Sequence, residues 1–226
     1  MPFFYYDAPY LLLVIISLVL GGATQAYINA TYTKWSKVRG TIGMTGAQVA
    51  RRMLDDGGAQ DVGITRVAGH LTDYYDPRDN MLHLSDENFE GASVASMAVA
   101  CHEAGHAVQT ARGYVPGKIR TALVPVVNFS QQTWMIVLLL GVMLNFLGLV
   151  QLAIILFAFS VVFQLVTLPV EIDASRRAVA YLSKAGLSLD ETGARKVLTA
   201  AALTYVAAAL VSVLQLLYLY GRTDRD

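Results

Sequence analysis

One cysteine, Cys101, stands alone among 226 residues. It can form no internal disulfide and no CxxC zinc site, so a metal centre must draw on histidines and carboxylates. Charge is scarce too: 15% of the residues are charged, against roughly 25% in an average soluble domain. That deficit argues against an ordinary cytosolic domain. Lys and Arg number 17 and Asp and Glu 17, which leaves neither a basic field to neutralise nucleic-acid phosphates nor an acidic tail of the disordered kind. Only four histidines are present, His70, His83, His102 and His106, so the search for metal ligands is short.

Apolar residues, by contrast, make up 55% of the chain, and they fall in long runs. Residues 10–28 are free of charge and long enough to cross a bilayer once; the absence of Lys and Arg before them argues against a cleaved signal peptide. Residues 131–168 contain no charged side chain, which at about 20 residues per crossing accommodates two helices, 131–147 and 149–168, with Asn145 and Gly148 marking the turn. A fourth span covers 198–220, with tyrosines placed for an interfacial belt. All four lack Asp, Glu, Lys, Arg and His, whereas a transporter or channel places ionisable groups inside its spans.

Ten Lys or Arg fall in residues 30–132, five in 169–197 and two beyond the last span, and none precede the first. The positive-inside rule therefore puts both connections in the cytoplasm and both termini outside. Two crossings separate the connections, so they share a side whichever way the protein faces, and residues of both can build one site.

Within the first connection, Thr45 and Gln48 form a capping box, with Val49, Ala50, Met53 and Leu54 on one helical face and Gly57 and Gly58 as its stop. Residues 62–67 and 81–84 read as strands around the turn-rich stretch 72–80, a β-hairpin. Residues 92–112 read as a helix of small residues. Without repeats or low-complexity tracts, residues 1–226 read as one integrated unit.

That last helix carries His102-Glu103-Ala104-Gly105-His106, an HExxH motif. Residues four apart share a helical face, so both imidazoles can meet one zinc ion, and Glu103 is placed to hold an attacking water and take its proton. Burying two His and a Glu on an apolar helix without a metal is costly. A catalytic zinc needs a third protein ligand. The metzincin pattern would require Gly and His where Gln109 and Arg112 stand, and the LDG-like tripeptide of site-2 type intramembrane proteases is missing. A glutamate from a second helix remains, and Glu171, just beyond the third span, suits it; Asp173 is the rival ligand, or an acceptor for a zinc-bound imidazole. Pro169 reads as a kink or restart that turns this carboxylate toward the site.

The blocks TGAQVARRML (45–54), GHLTDYYDPRDNMLHLS (69–85), CHEAGHAVQ (101–109), TLPVEIDASRRA (167–178) and KVLTAAALTYVAAAL (196–210) resemble, in order and over nearly the whole chain, the YugP-like family of neutral zinc metallopeptidases of bacterial membranes. That family is similar to the membrane gluzincins, in which a strand precedes the HExxH helix and a glutamate on a later helix completes the site. The resemblance implies His102, His106 and Glu171 as ligands of one Zn2+ and Glu103 as general base. It implies a mostly α membrane protein of four transmembrane helices, with a gluzincin-like zincin core containing a small β-hairpin at the membrane face. The gluzincin ExxxD pattern is broken here, because Ser175 stands at the Asp position.

Gluzincins that cleave polypeptides hold substrate along a sheet edge, which makes Met81, Leu82, His83 and Leu84 the candidate binding edge. Tyr74, Tyr75, Arg176 and Arg177 are candidates to stabilise the oxyanion. His70 and His83 stay outside the metal shell, and Cys101 reads as a small buried residue. The expected partners are a membrane-associated polypeptide substrate and the lipid bilayer, not nucleic acid. A catalytically silent zinc-binding scaffold is the alternative, disfavoured because a structural zinc site needs no general base.

Overall fold

The computed structural model describes residues 8–184 and 188–223. Residues 1–7, 185–187 and 224–226, and with the last the tail cation Arg225, lie outside them. Ten elements follow in order: α1 (Ala8–Ser36), α2 (Gly46–Gly57), β1 (Gly63–Val67), β2 (Tyr74–Asp76), β3 (Met81–Ser85), α3 (Asp86–Phe89), α4 (Val94–Ala111), α5 (Val115–Met143), α6 (Leu147–Lys184) and α7 (Ser188–Thr223). Among the described residues four helices, α1, α5, α6 and α7, are long and apolar enough to cross a membrane.

Each of these is longer than the span read from sequence, although α5 stops at Met143, short of the expected end at 147. The reason is that charge ends a hydropathy window without ending a helix: α5 starts at Val115 and takes Lys118 and Arg120 into its first turns, and α6 runs on past Leu168 to Lys184. Pro169 lies inside α6 and does not restart it. Asn145, with φ +49, makes the α5–α6 turn, whereas Gly148 belongs to α6.

By internal contacts the chain gathers into two compact units, each described by itself. Unit one comprises Met1–Thr24, Ile119–Leu168 and Thr204–Asp226. Its core gathers Val150, Ile154, Phe157, Val161 and Leu219, with Trp134 on Phe157 at 4.8 Å between ring centroids. A Cβ at Gly141 would stand 2.8 Å from the Val150 nitrogen, so glycine is what lets α5 and α6 approach beside their turn.

Unit two comprises Gln25–Lys118 and Pro169–Leu203. The capping box forms as read: Gln48 N–H donates to Thr45 Oγ1 and Thr45 N–H to Gln48 Oε1. Val49, Ala50, Met53 and Leu54 are all buried, and α2 ends on Gly58 in the left-handed region, φ +83. They pack on α4, whose Ala95, Ala98, Ala100, Cys101 and Ala104 are fully buried. Small side chains let this one helix be covered on several sides, by α2, by the sheet, and by Ala178 and Leu182 of α6.

The sheet differs from the hairpin read from sequence. It has three strands in the order β1-β3-β2. β1 runs parallel to β3, Ile64 opposite Leu82, and the hairpin partner of β3 is β2, Tyr75 opposite Leu82. The short strand β2 is hidden in sequence among turn residues. Its presence makes β3 the central strand, so Met81, Leu82, His83 and Leu84 are not a free edge: β1 pairs one side, β2 takes Met81 to His83 on the other, and Asp73 accepts the Ser85 N–H.

Candidate metal centre

Helix α4 brings His102 and His106 to one face, and α6 brings Glu171 to meet them. The approach depends on Gly105: a Cβ there would lie 2.8 Å from the Ala174 carbonyl oxygen. Glu171 Oε2 is 3.2 Å from His102 Nε2 and 3.5 Å from His106 Nε2, and the three ligand atoms all lie within 4.8 Å of one another. In tetrahedral coordination with metal–nitrogen bonds of about 2.0–2.1 Å, neighbouring donors stand about 3.3–3.4 Å apart. The donor set therefore fits zinc in its chemistry, and the two carboxylate–imidazole distances match that spacing. Two imidazoles and a carboxylate leave a fourth position open, as a hydrolytic site requires.

The far ring nitrogens are held as well. His102 Nδ1 is 3.1 Å from Ser175 Oγ, and His106 Nδ1 is 3.1 Å from Gln109 Oε1. Gln109 in turn donates to the Val170 carbonyl and to Asp173 Oδ2, each at 2.8 Å, and Arg177 Nε donates to Asp173 Oδ2 at 2.6 Å. Asp173 is thus occupied by Gln109 and Arg177 and stands outside the three-donor cluster.

Glu103 Oε2 accepts the Tyr75 N–H at 3.2 Å, which ties the carboxylate to β2. Burial pushes the Glu103 carboxyl above its ordinary pKa; the two imidazoles oppose this, and the charges of Glu171 and Asp73 add to it. Burial works against the charged form of His106, but Glu171 and Glu103 outweigh it and the imidazole pKa rises. Cys101 is fully buried, and burial raises its thiol.

Other residues singled out in the sequence have different partners. His83 pairs with Asp79 at 2.9 Å and stacks on Tyr74, and His70 pairs with Glu87. Tyr75 Oη donates to Asn80, Arg177 is engaged by Asp173, and Arg176 is exposed beside a groove that Ser175 also lines. Gln109, Ser175 and Gly105 were missed. Ser175 lies one helical turn beyond Glu171 and Gln109 three residues beyond His106, a spacing that would have placed both near the ligands.

The model of the family described as "Putative neutral zinc metallopeptidase" matches residues 10–223. The chain is 43% identical over 222 residues to "Putative membrane protease YugP" of Bacillus subtilis (strain 168), covering 95% of this chain and 99% of that protein. No solved structure gives a significant match. With the family match running almost end to end and a relative of this identity along its full length, the chain belongs to the "Putative neutral zinc metallopeptidase" family.

Proposed function

We propose that the chain is a gluzincin-type zinc endopeptidase of the cell membrane, one zinc per chain, working as a single integrated domain. The observation that carries this reading is the approach of Glu171 to the two imidazoles, 3.2 and 3.5 Å, with Glu103 directly after the first of them on the same helix. Zinc held by His102, His106 and Glu171 supplies Lewis acidity, lowering the pKa of water toward ~7 and polarising a peptide carbonyl. Glu103 takes a proton from the attacking water as its oxygen bonds to the carbonyl carbon, and returns that proton to the amine nitrogen when the C–N bond breaks. A base with a raised pKa suits both transfers near neutral pH.

The substrate is a polypeptide held as an added strand. Its partner edge is β2, an end strand of the sheet whose Tyr75 N–H already turns away from β3 toward Glu103. Glu171 lies only three residues beyond Leu168, the end of the third expected span, which favours peptide bonds near or emerging from the bilayer and a role in membrane-protein quality control. Loop charge puts the site on the cytoplasmic side.

The deciding experiment measures metal content and hydrolysis of an unfolded membrane protein. Wild type carries one zinc and cleaves; Glu171→Ala loses the zinc, and Glu103→Gln keeps it and does not cleave. Full cleavage by Glu103→Gln overturns the peptidase reading, and a wild type without zinc overturns the site.

A further inference from the structure

We infer that Gln109 is a positioning residue for the metal centre, one side chain that sets the tautomer of His106 and the place of Glu171 together; the inference rests on the zinc reading above. Gln109 is 3% exposed, so its amide must find its partners inside the protein. It finds three. Both amide hydrogens go to acceptors that carry no hydrogen of their own, the Val170 carbonyl and the Asp173 carboxylate, each at 2.8 Å. A flipped amide would aim its oxygen at two acceptors, so the network admits one orientation.

That orientation turns Oε1 to His106 Nδ1 at 3.1 Å. An amide oxygen only accepts, so Nδ1 carries the hydrogen. In the neutral imidazole, the form that binds a metal, Nε2 is then left with its lone pair, and it is the Nε2 atom that stands 3.5 Å from Glu171 Oε2. The second bond works on the other helix: Val170 precedes Glu171, so the amide that orients one donor also grips the backbone one residue from another. Asp173, held by Arg177 at 2.6 Å, closes the chain Arg177–Asp173–Gln109–His106 from α6 back to α4. Where a carboxylate would touch the imidazole directly, an amide stands between them here. Asp173 acts through Gln109.

The test uses the full chain purified in detergent, with zinc dissociation constants from chelator competition and the absorption spectrum of the cobalt(II)-substituted protein. Gln109→Leu weakens zinc about 10- to 100-fold and alters the cobalt spectrum, since partners of metal-bound histidines are worth that much. Gln109→Glu keeps an acceptor for Nδ1 but sets its second oxygen against the Val170 carbonyl and the Asp173 carboxylate, so it recovers at most part of the loss. If Gln109 merely ties α4 to α6, Gln109→Leu lowers the thermal midpoint while zinc affinity and the cobalt spectrum stay as in wild type; that result overturns the inference. Should Gln109→Leu fail to fold, Asp173→Ala carries the test: looser zinc with a changed spectrum supports the relay, and both unchanged overturn it. Wild type that binds zinc beside unaltered variants removes this inference alone, whereas wild type that binds none removes the zinc reading with it.

Discussion

Glu171 and Ser175, one helical turn apart on α6, take the two ring nitrogens of His102 between them, Nε2 at 3.2 Å from the carboxylate and Nδ1 at 3.1 Å from the hydroxyl. The serine that breaks the ExxxD pattern is therefore itself a partner of the imidazole. Ser175→Ala is expected to weaken zinc about 10-fold or more, because an unheld imidazole can turn. Ser175→Asp, which restores a carboxylate acceptor, should bind at least as tightly as wild type. Chelator competition on the three proteins ranks them, and equal affinity of Ser175→Ala and wild type would remove the serine from the site.

Gly105→Ala sets two effects against each other. Alanine in a helix interior gains about 1 kcal/mol over glycine, while a methyl forced into a packed contact costs about 1–3 kcal/mol. The contact here is the Ala174 carbonyl at 2.8 Å, backbone of the very helix that carries Glu171. Backbone cannot rotate aside, so the cost wins. The variant should unfold at lower temperature and hold less zinc, both read from one preparation.

How far the sequence reveals this site follows the range of each interaction. His102 and His106 are legible because helical spacing is local, and Glu171 because so few acids lie near the charge-free runs. The place of β3 is not legible. Strand order depends on β1 pairing in parallel across an intervening segment, and β2 is three residues long within Asp73-Tyr74-Tyr75-Asp76-Pro77, which reads as turn. Helix ends escape for a similar reason: contacts of Ala178 and Leu182 with the core carry α6 beyond Pro169, and no local signal announces them. Gln109 looks like an ordinary polar residue until Val170 and Asp173 are seen opposite it.

The shift of the exposed edge from β3 to β2 separates two proline variants. His83→Pro breaks the central strand and should lower stability and zinc content together. Tyr75→Pro lies on an end strand and removes the N–H that Glu103 accepts at 3.2 Å, together with the phenol that donates to Asn80; Tyr75→Ala, which keeps the N–H and loses the phenol, is its control. In Tyr75→Pro zinc should remain at one per chain while kcat falls at least about 10-fold, a part of the 10²–10⁴ that a positioned base contributes. Unchanged kcat in Tyr75→Pro would detach β2 from the chemistry.

Asp73 links the sheet to α3, accepting from Ser85 N–H at 2.8 Å and from Asn88 Nδ2 at 2.8 Å. Burial raises its carboxyl above the ordinary 3.8, with those donors opposing. Between 3.8 and the raised value the folded protein holds a proton that the unfolded chain has released. Its contribution to stability therefore falls as pH rises through that window and is constant above it. Asp73→Asn removes the titration but turns an amide donor toward existing donors. The variant should melt lower than wild type throughout, with a flatter dependence of the thermal midpoint on pH in that window. Parallel slopes would assign the dependence to other groups.

Orientation can be tested against a quiet background, because the native thiol gives little signal: Cys101 is fully buried, and burial raises its pKa, which keeps it from forming the reactive thiolate. New thiols at Arg52→Cys and Gly221→Cys sit at exposed positions, one on α2 and one near the end of α7. By the positive-inside rule, the fifteen cations in the two connections lead to the expectation that Arg52→Cys faces the cytoplasm. In intact cells a membrane-impermeant maleimide should then label Gly221→Cys and spare Arg52→Cys until the cells are lysed. Labelling of Arg52→Cys alone would turn the molecule over. The metal centre would go with it, since three crossings separate Gly221 from residues 30–132 but an even number separates the two connections that supply His102, His106 and Glu171.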